Sequence, residues 1–245
     1  MSVKPKVSEK WSCHWSSVWP ANDEQLNYSV YDINDALEIV ANFPVTLKDD
    51  KRSLVKCGEL FGVEVIAKKP RDKNRRKWSR FLSLFRQSEA LKTLSTLTNF
   101  WEKSIPSVKP ICVFEKKCFG FVTDSWLFYE FKDGEVSDAS KLHDIILLLN
   151  DLHRYGYRHD DPNFGNFLID EAKQLFLIDC KGKSRLGSFS DCYDFILLSE
   201  RNPDIEFEQV LSMANFDQSS MAYRFARFYA LYKEKRTQLK KRIRR

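Results

Sequence analysis

The chain has 245 residues, of which 43% are hydrophobic and 14% aromatic, and a formal net charge of +6. That composition supports a sizeable buried core and excludes a disordered or low-complexity protein. No apolar run approaches the roughly 18 residues of a membrane span, and the opening MSVKPKVSEKWSCHW lacks the apolar core of a signal peptide, so a cytoplasmic protein is expected.

The charge is unevenly placed. Residues 233–245, KEKRTQLKKRIRR, carry eight basic side chains and one acid, so they hold +7 and leave about −1 for the rest. A second basic run, residues 68–77, has seven basic groups and one acid. Such local runs point to surfaces that meet an anionic partner. Nothing resembles a helix-turn-helix, an RNA-recognition motif or a zinc finger, so nucleic acid is not the expected partner. The six cysteines form no C-x-x-C pair and read as reduced thiols.

In chain order, residues 1–42 read as irregular. Trp11, Trp15 and Trp19 recur at intervals of four, which fits one helix face packed into the core, though Pro20 and the many Ser and Asn residues count against a helix. Residues 43–69 alternate apolar and polar, with turn signals at Asp49-Asp50 and Cys57-Gly58. They predict two or three antiparallel strands, the last ending in Lys68-Lys69. Residues 78–98 place Phe81, Leu84, Phe85, Leu91 and Leu94 at helical spacing. Strands are expected near 111–114, 119–122 and 126–131. Residues 138–155 give the clearest helix, with the stripe Leu142, Ile145, Ile146, Leu149 and Leu152, a cap at Ser137 or Asp138, and a stop at Gly156. The C-terminal part is predicted helical from Phe225, Phe228, Tyr229 and Tyr232, and the basic tail continues the same helix.

The densest chemistry lies in YRHDDPNFGNFLIDEAKQLFLID, residues 157–179. His159-x-Asp161 followed five residues on by Asn166 fits the catalytic-loop pattern of kinases, and Asp179 fits the metal-binding position after the next strand. A phosphoryl transfer needs an aligned hydroxyl, which Asp161 would orient or deprotonate. It also needs hard oxygen donors for Mg²⁺, which Asn166 and Asp179 would supply. The apolar runs 167–169 and 175–178 predict a hairpin with one donor before its first strand and one after its second.

Two further groups complete such a site. Val65-Ile66-Ala67-Lys68 resembles the strand lysine that holds nucleotide phosphates. Lys68 is the candidate, with Lys69 the adjacent alternative, and only one of the two can point into the cleft because strand side chains alternate faces. Glu89, the only acid between Lys73 and Phe100, is the expected partner of that lysine. The glycine-rich phosphate loop is weakly signalled by Cys57-Gly58-Glu59-Leu60-Phe61-Gly62. Backbone groups around Glu130, in Tyr129-Glu130-Phe131, would meet the adenine base. Either Asp191 or Asp194 would brace the catalytic loop from a following helix.

Taken together, DPNFGNFLI, LIDCKGK, YEFKDGE, FEKKCFGF and the basic C-terminal helix resemble the bacterial lipopolysaccharide core heptose kinases, nearest the heptose(II) branch, over about residues 54–245. The resemblance implies an α+β, bilobal protein-kinase-like fold with a small antiparallel-sheet N-lobe and a mainly helical C-lobe. It would be one domain: about 1–131 as N-terminal segment and N-lobe, 132–232 as C-lobe, and 233–245 as basic tail. It implies ATP and Mg²⁺ as cofactors and transfer of the γ-phosphate to a heptose hydroxyl of the anionic inner core, at the cytoplasmic face of the inner membrane. The roles implied are Asp161 catalytic, Asn166 and Asp179 on the metal, and Lys68 with Glu89 on the phosphates. The basic tail would rest on anionic lipid.

This sequence departs from protein kinases in reading His-Asp-Asp for His-Arg-Asp and Asp-Cys-Lys for Asp-Phe-Gly, and in lacking Ala-Pro-Glu. Those departures argue against a protein acceptor. A Kdo sugar, another small molecule or a protein stays open as acceptor, and a non-catalytic pseudokinase is the remaining alternative.

Overall fold

The computed structural model describes residues 10–19, 32–60, 62–71, 81, 83–84, 87–180, 182–214 and 217–243, the last four of these without their side chains. Most of the 68–77 basic run, together with Phe85, Lys181 and the end of the basic tail, lies outside the described residues. The chain divides into two compact units, Met1–Glu102 with Val108–Lys132, and Lys103–Ser107 with Asp133–Arg245.

The first unit is built on one antiparallel sheet. Its elements are β1 (Lys10–Trp15), α1 (Ile33–Ala41), β2 (Val45–Asp49), β3 (Leu54–Leu60), β4 (Val63–Lys69), α2 (Glu89–Glu102), β5 (Pro110–Cys118) and β6 (Phe121–Glu130). The strand order is β1-β5-β6-β4-β3-β2. Ala36 and Val40 of α1, Val65 and Ala67 of β4, and Trp126 and Phe128 of β6 share one core with Trp19 and Phe43.

Three strands follow one another over residues 45–69, as expected, and Asp50 closes the first turn by accepting the N–H groups of Arg52 and Ser53. Several other expectations need correction. Trp11 and Trp15 lie on a strand, not a helix, because β1 pairs in full register with β5. Trp15 is exposed, and only Trp19 is buried in the core. Cys57-Gly58 is no turn but the middle of β3. Gly58 is there because the Phe43 ring occupies the place of a side chain, 2.6 Å from where a Cβ would stand. The turn lies next to Gly62, at φ +76°. Of the helix expected over residues 78–98, Glu89–Glu102 forms α2, capped by Ser88, which accepts the Leu91 N–H; most of the stretch before Ser88 lies outside the described residues. Phe119 begins no strand: with Gly120 it takes positive φ, making the tight hairpin turn between β5 and β6.

The second unit contains β7 (Glu135–Val136), a 3₁₀ turn (Ala139–Lys141), α3 (Leu142–Arg154), β8 (Tyr157–Arg158), β9 (Phe167–Ile169), β10 (Leu175–Leu177), β11 (Lys183–Ser184), α4 (Ser188–Arg201), α5 (Phe207–Ala214) and α6 (Met221–Ile243). The expected apolar stripe of α3 is buried throughout. Asp138 caps the preceding 3₁₀ turn through the Ser140 N–H, and Gly156, at φ +83°, ends the helix. Helix α3 packs on α4 and α5, and α4 packs on α6 through Cys192, Tyr193, Ile196 and Leu197 against Tyr223, Ala226 and Ala230. The C-terminal helix is as expected, but Phe225, Phe228 and Tyr232 of its aromatic stripe are exposed.

Candidate active site

The loop 159–166 is fixed from beneath by one carboxylate. Asp194 of α4 is fully buried and accepts the N–H of His159 at 2.7 Å and that of Asp160 at 2.8 Å. It also takes His153 Nε2 at 3.0 Å. A buried carboxylate needs such donors, and charge-assisted bonds of this kind are the strong ones. Asp191 is not the brace. It sits 3.4 Å from His153 Nδ1 and holds Arg185 through two oxygens, which raises the guanidinium above its ordinary pKa.

Asp160 stands at φ +67°, a left-handed backbone that a non-glycine residue adopts at a cost of about 1–2 kcal/mol. Its buried carboxylate is surrounded by cations. Lys183 Nζ lies at 2.5 Å, and Arg158 Nη2 and Lys233 Nζ each lie at 3.7 Å. Lys233 also donates to the Tyr193 hydroxyl and lies over the rings of Tyr193 and Tyr229. Burial, with the nearby Asp160 charge, holds the Tyr193 hydroxyl pKa far above its ordinary value. The pairing of β8 with β11 brings Lys183 to this point.

The remaining loop contacts set the amide of Asn166. Its Nδ2 donates to the carbonyl of Asp161 at 2.8 Å, which leaves Oδ1 as the amide's remaining polar atom. The Asp161 carbonyl also receives the Asn163 N–H, and Arg201 Nε lies 3.7 Å from Asp161 Oδ1. Asn202, at the end of α4, holds the loop's middle. Its Oδ1 accepts the Phe164 N–H, and its Nδ2 donates to the carbonyls of Pro162 and Leu198. The sequence reading missed Asn202. A buried asparagine following an apolar helix is its only signal.

The expected hairpin forms, with Leu177 opposite Phe167. The Ile178 N–H donates to the Asn166 carbonyl at 3.1 Å, which extends the ladder by one bond and sets Asp179 directly after it. Asp161, Asn166 and Asp179 are therefore gathered by one loop and one hairpin. Among the described residues no cluster of three His, Cys, Asp or Glu forms a metal cage. One amide and one carboxylate still suit Mg²⁺, which takes few protein donors when substrate phosphates supply the others.

Lys68, Glu89 and Glu130 stand on the first unit. Lys69 points to the α1 face of the sheet, where its Nζ meets Asp124 at 2.5 Å and lies over the Trp126 ring. Lys68 faces the other side with Ile66, between Val55 and Leu127 in register. Glu89 is the first residue of α2, where the helix dipole favours an acid. Glu130 ends β6, and its carboxylate lies 3.5 Å from Lys109 Nζ. The N–H groups of Glu130 and Phe131 are bonded to the carbonyls of Lys109 and Glu64. Both N–H groups are thus already taken up within the first unit.

No protein-family model and no curated protein matches the chain. Solved structures do. One, described as WaaP in complex with acyl carrier protein, is 14% identical and matches over 93% of this chain and 99% of its own, with a TM-score of 0.58. What the chain shares with that structure is its fold, over nearly the whole length of both.

Proposed function

We propose that this protein is an ATP-dependent kinase that transfers the γ-phosphate to a heptose hydroxyl of the lipopolysaccharide inner core. The observation that carries the reading is the loop 159–166. One buried aspartate fixes its backbone, and the Asn166 amide donates through Nδ2 to the Asp161 carbonyl at the start of the hairpin that leads to Asp179. The fold shared with WaaP, a lipopolysaccharide core heptose kinase, supports the same reading, as do the sequence segments that resemble those kinases.

In this reading Asp161 orients the acceptor hydroxyl and takes its proton. Asn166 Oδ1 and the Asp179 carboxylate hold Mg²⁺, which when bound supplies positive charge to the triphosphate. Lys68, positioned by Glu89, holds the nucleotide phosphates, and the chain near Glu130 meets the base. The first unit corresponds to the N-lobe of a kinase and the second to the C-lobe. The acceptor is an anionic glycan, met at the cytoplasmic face of the inner membrane.

The test is Mg²⁺-dependent transfer from labelled ATP to purified lipopolysaccharide lacking core phosphate, with wild type and Asp161→Ala compared. Label on the glycan with wild type alone supports the reading. Equal label with both removes Asp161 from it. No label with either, despite demonstrated ATP binding, leaves a kinase of another acceptor.

A further inference from the structure

Helix α6 has two unlike faces. The one packed on α4 carries Tyr223, Ala226 and Ala230, all buried. The opposite one carries Met221, Phe225, Phe228, Tyr232 and Leu239. These are spaced i, i+4, i+7, i+11 and i+18, one line along a 3.6-residue helix. Their exposure runs from 51% at Tyr232 to 70% at Phe228. Large aromatic groups therefore stand in water while alanines fill the core, the reverse of a helix whose only partner is its own unit.

The helix's own charges beside this line have one sign. Arg224 and Lys235 flank it on one side and Arg236 on the other, all exposed. Glu234, the only acid of the helix, projects from the far side. The sequence continues basic to Arg245.

We propose that α6 lies along an anionic lipid surface as an interfacial amphipathic helix. Phe225, Phe228 and Tyr232 enter the boundary between headgroups and acyl chains, and the basic flanks meet lipid phosphates. At about 34 Å the helix is long enough to present the whole line at once. No helix among the described residues is long and apolar enough to cross a membrane, so α6 lies on the surface. A second copy is a poor occupant, since pairing two such lines sets Arg and Lys against Arg and Lys. An acidic protein matches the charge, and the neighbouring fold was solved with acyl carrier protein. A straight aromatic line flanked on both sides by cations fits a lipid plane better. The inference extends the lipopolysaccharide reading by naming the contact surface, and its test needs no turnover.

The experiment is flotation of the full-length protein with vesicles of phosphatidylcholine alone, or with about one third phosphatidylglycerol. Wild type is expected to float with the anionic vesicles only. The exposed-site variant Phe225→Ser/Phe228→Ser/Tyr232→Ser should bind about tenfold more weakly with unchanged circular dichroism. Lys235→Gln/Arg236→Gln should bind more weakly and lose part of the salt dependence. Failure of wild type to float overturns the proposal. So does equal flotation of the aromatic variant, which would leave charge alone as the cause. Tight binding of acyl carrier protein that depends on the three aromatics, with no vesicle binding, assigns the face to an acidic protein instead.

Discussion

Lys183 Nζ meets Asp160 Oδ2 at 2.5 Å across the strand pair β8–β11, twenty-three residues apart in sequence. Protein kinases carry an arginine where this chain has Asp160. Here the sign is inverted, and the cation comes from the segment that follows Asp179. The segment is held to the loop by Lys183. Asp160→Asn leaves Lys183, Arg158 and Lys233 clustered without their anion. A loss of about 1–2 kcal/mol is expected, discounted because Lys183 is 42% exposed. Lys183→Met should cost less. Urea denaturation of both variants tests the order, and a larger loss for Lys183→Met would contradict it.

Asp194→Ala strands two buried N–H groups. At about 1–3 kcal/mol for each unsatisfied group, the variant should unfold at clearly lower urea and lose phosphate transfer. Asp194→Asn restores volume but turns an amide N–H toward a backbone donor, so it should recover stability only in part and activity hardly at all. Asp191→Asn, which leaves the loop backbone untouched, should retain most activity.

Asn202→Ala removes the acceptor of the Phe164 N–H and a donor to Pro162. A loss of about 2 kcal/mol is expected. Because the loop between Asp161 and Asn166 loosens, kcat should fall more than the affinity for nucleotide. Comparing transfer rates with nucleotide titration separates these, and an unchanged kcat would leave Asn202 with packing alone.

Burial raises the thiols of Cys57 and Cys192 to about 11 and that of Cys112 well above its ordinary value. At pH 8 iodoacetamide should therefore label the half-buried Cys13 and Cys118 in the folded protein, and the others only after unfolding. The unfolded chain releases these protons first, near pH 9. The three thiols thus take nothing from stability below that pH and lower it progressively as the pH rises toward 11. Mass spectrometry of the labelled protein checks the first point, and urea midpoints at pH 7 and pH 10 check the second.

The loop 159–166 and its hairpin were readable because their signals are local: Asp161, Asn166 and Asp179 follow one another on one loop and one hairpin. Helix α3 was readable because its apolar stripe has a single period. Choosing Asp194 over Asp191 was not possible, since both lie on one helix and only packing decides which faces the loop. The tryptophans misled for a related reason. A spacing of four fits two turns of strand alternation as well as one turn of helix, and the partner that decides, β5, lies about a hundred residues away. Gly58 read as a turn because the ring that requires it, Phe43, is invisible from its neighbours. Gly58→Ala should destabilise by about 1–3 kcal/mol, and Phe43→Leu in the same chain should recover part of that, as thermal unfolding of the three variants would show.

Strand β1 closes one side of the six-stranded sheet, hydrogen-bonded along Lys10–Trp15 to most of β5. Without it, the nine-residue β5 would become an open edge with Ile111, Val113 and Phe114 beside unpaired backbone groups. Such an edge recruits strands from other chains. A truncation beginning after Trp19, chosen because the chain's recognisable motifs start later, would thus be expected to aggregate even with Asp161, Asn166 and Asp179 in place.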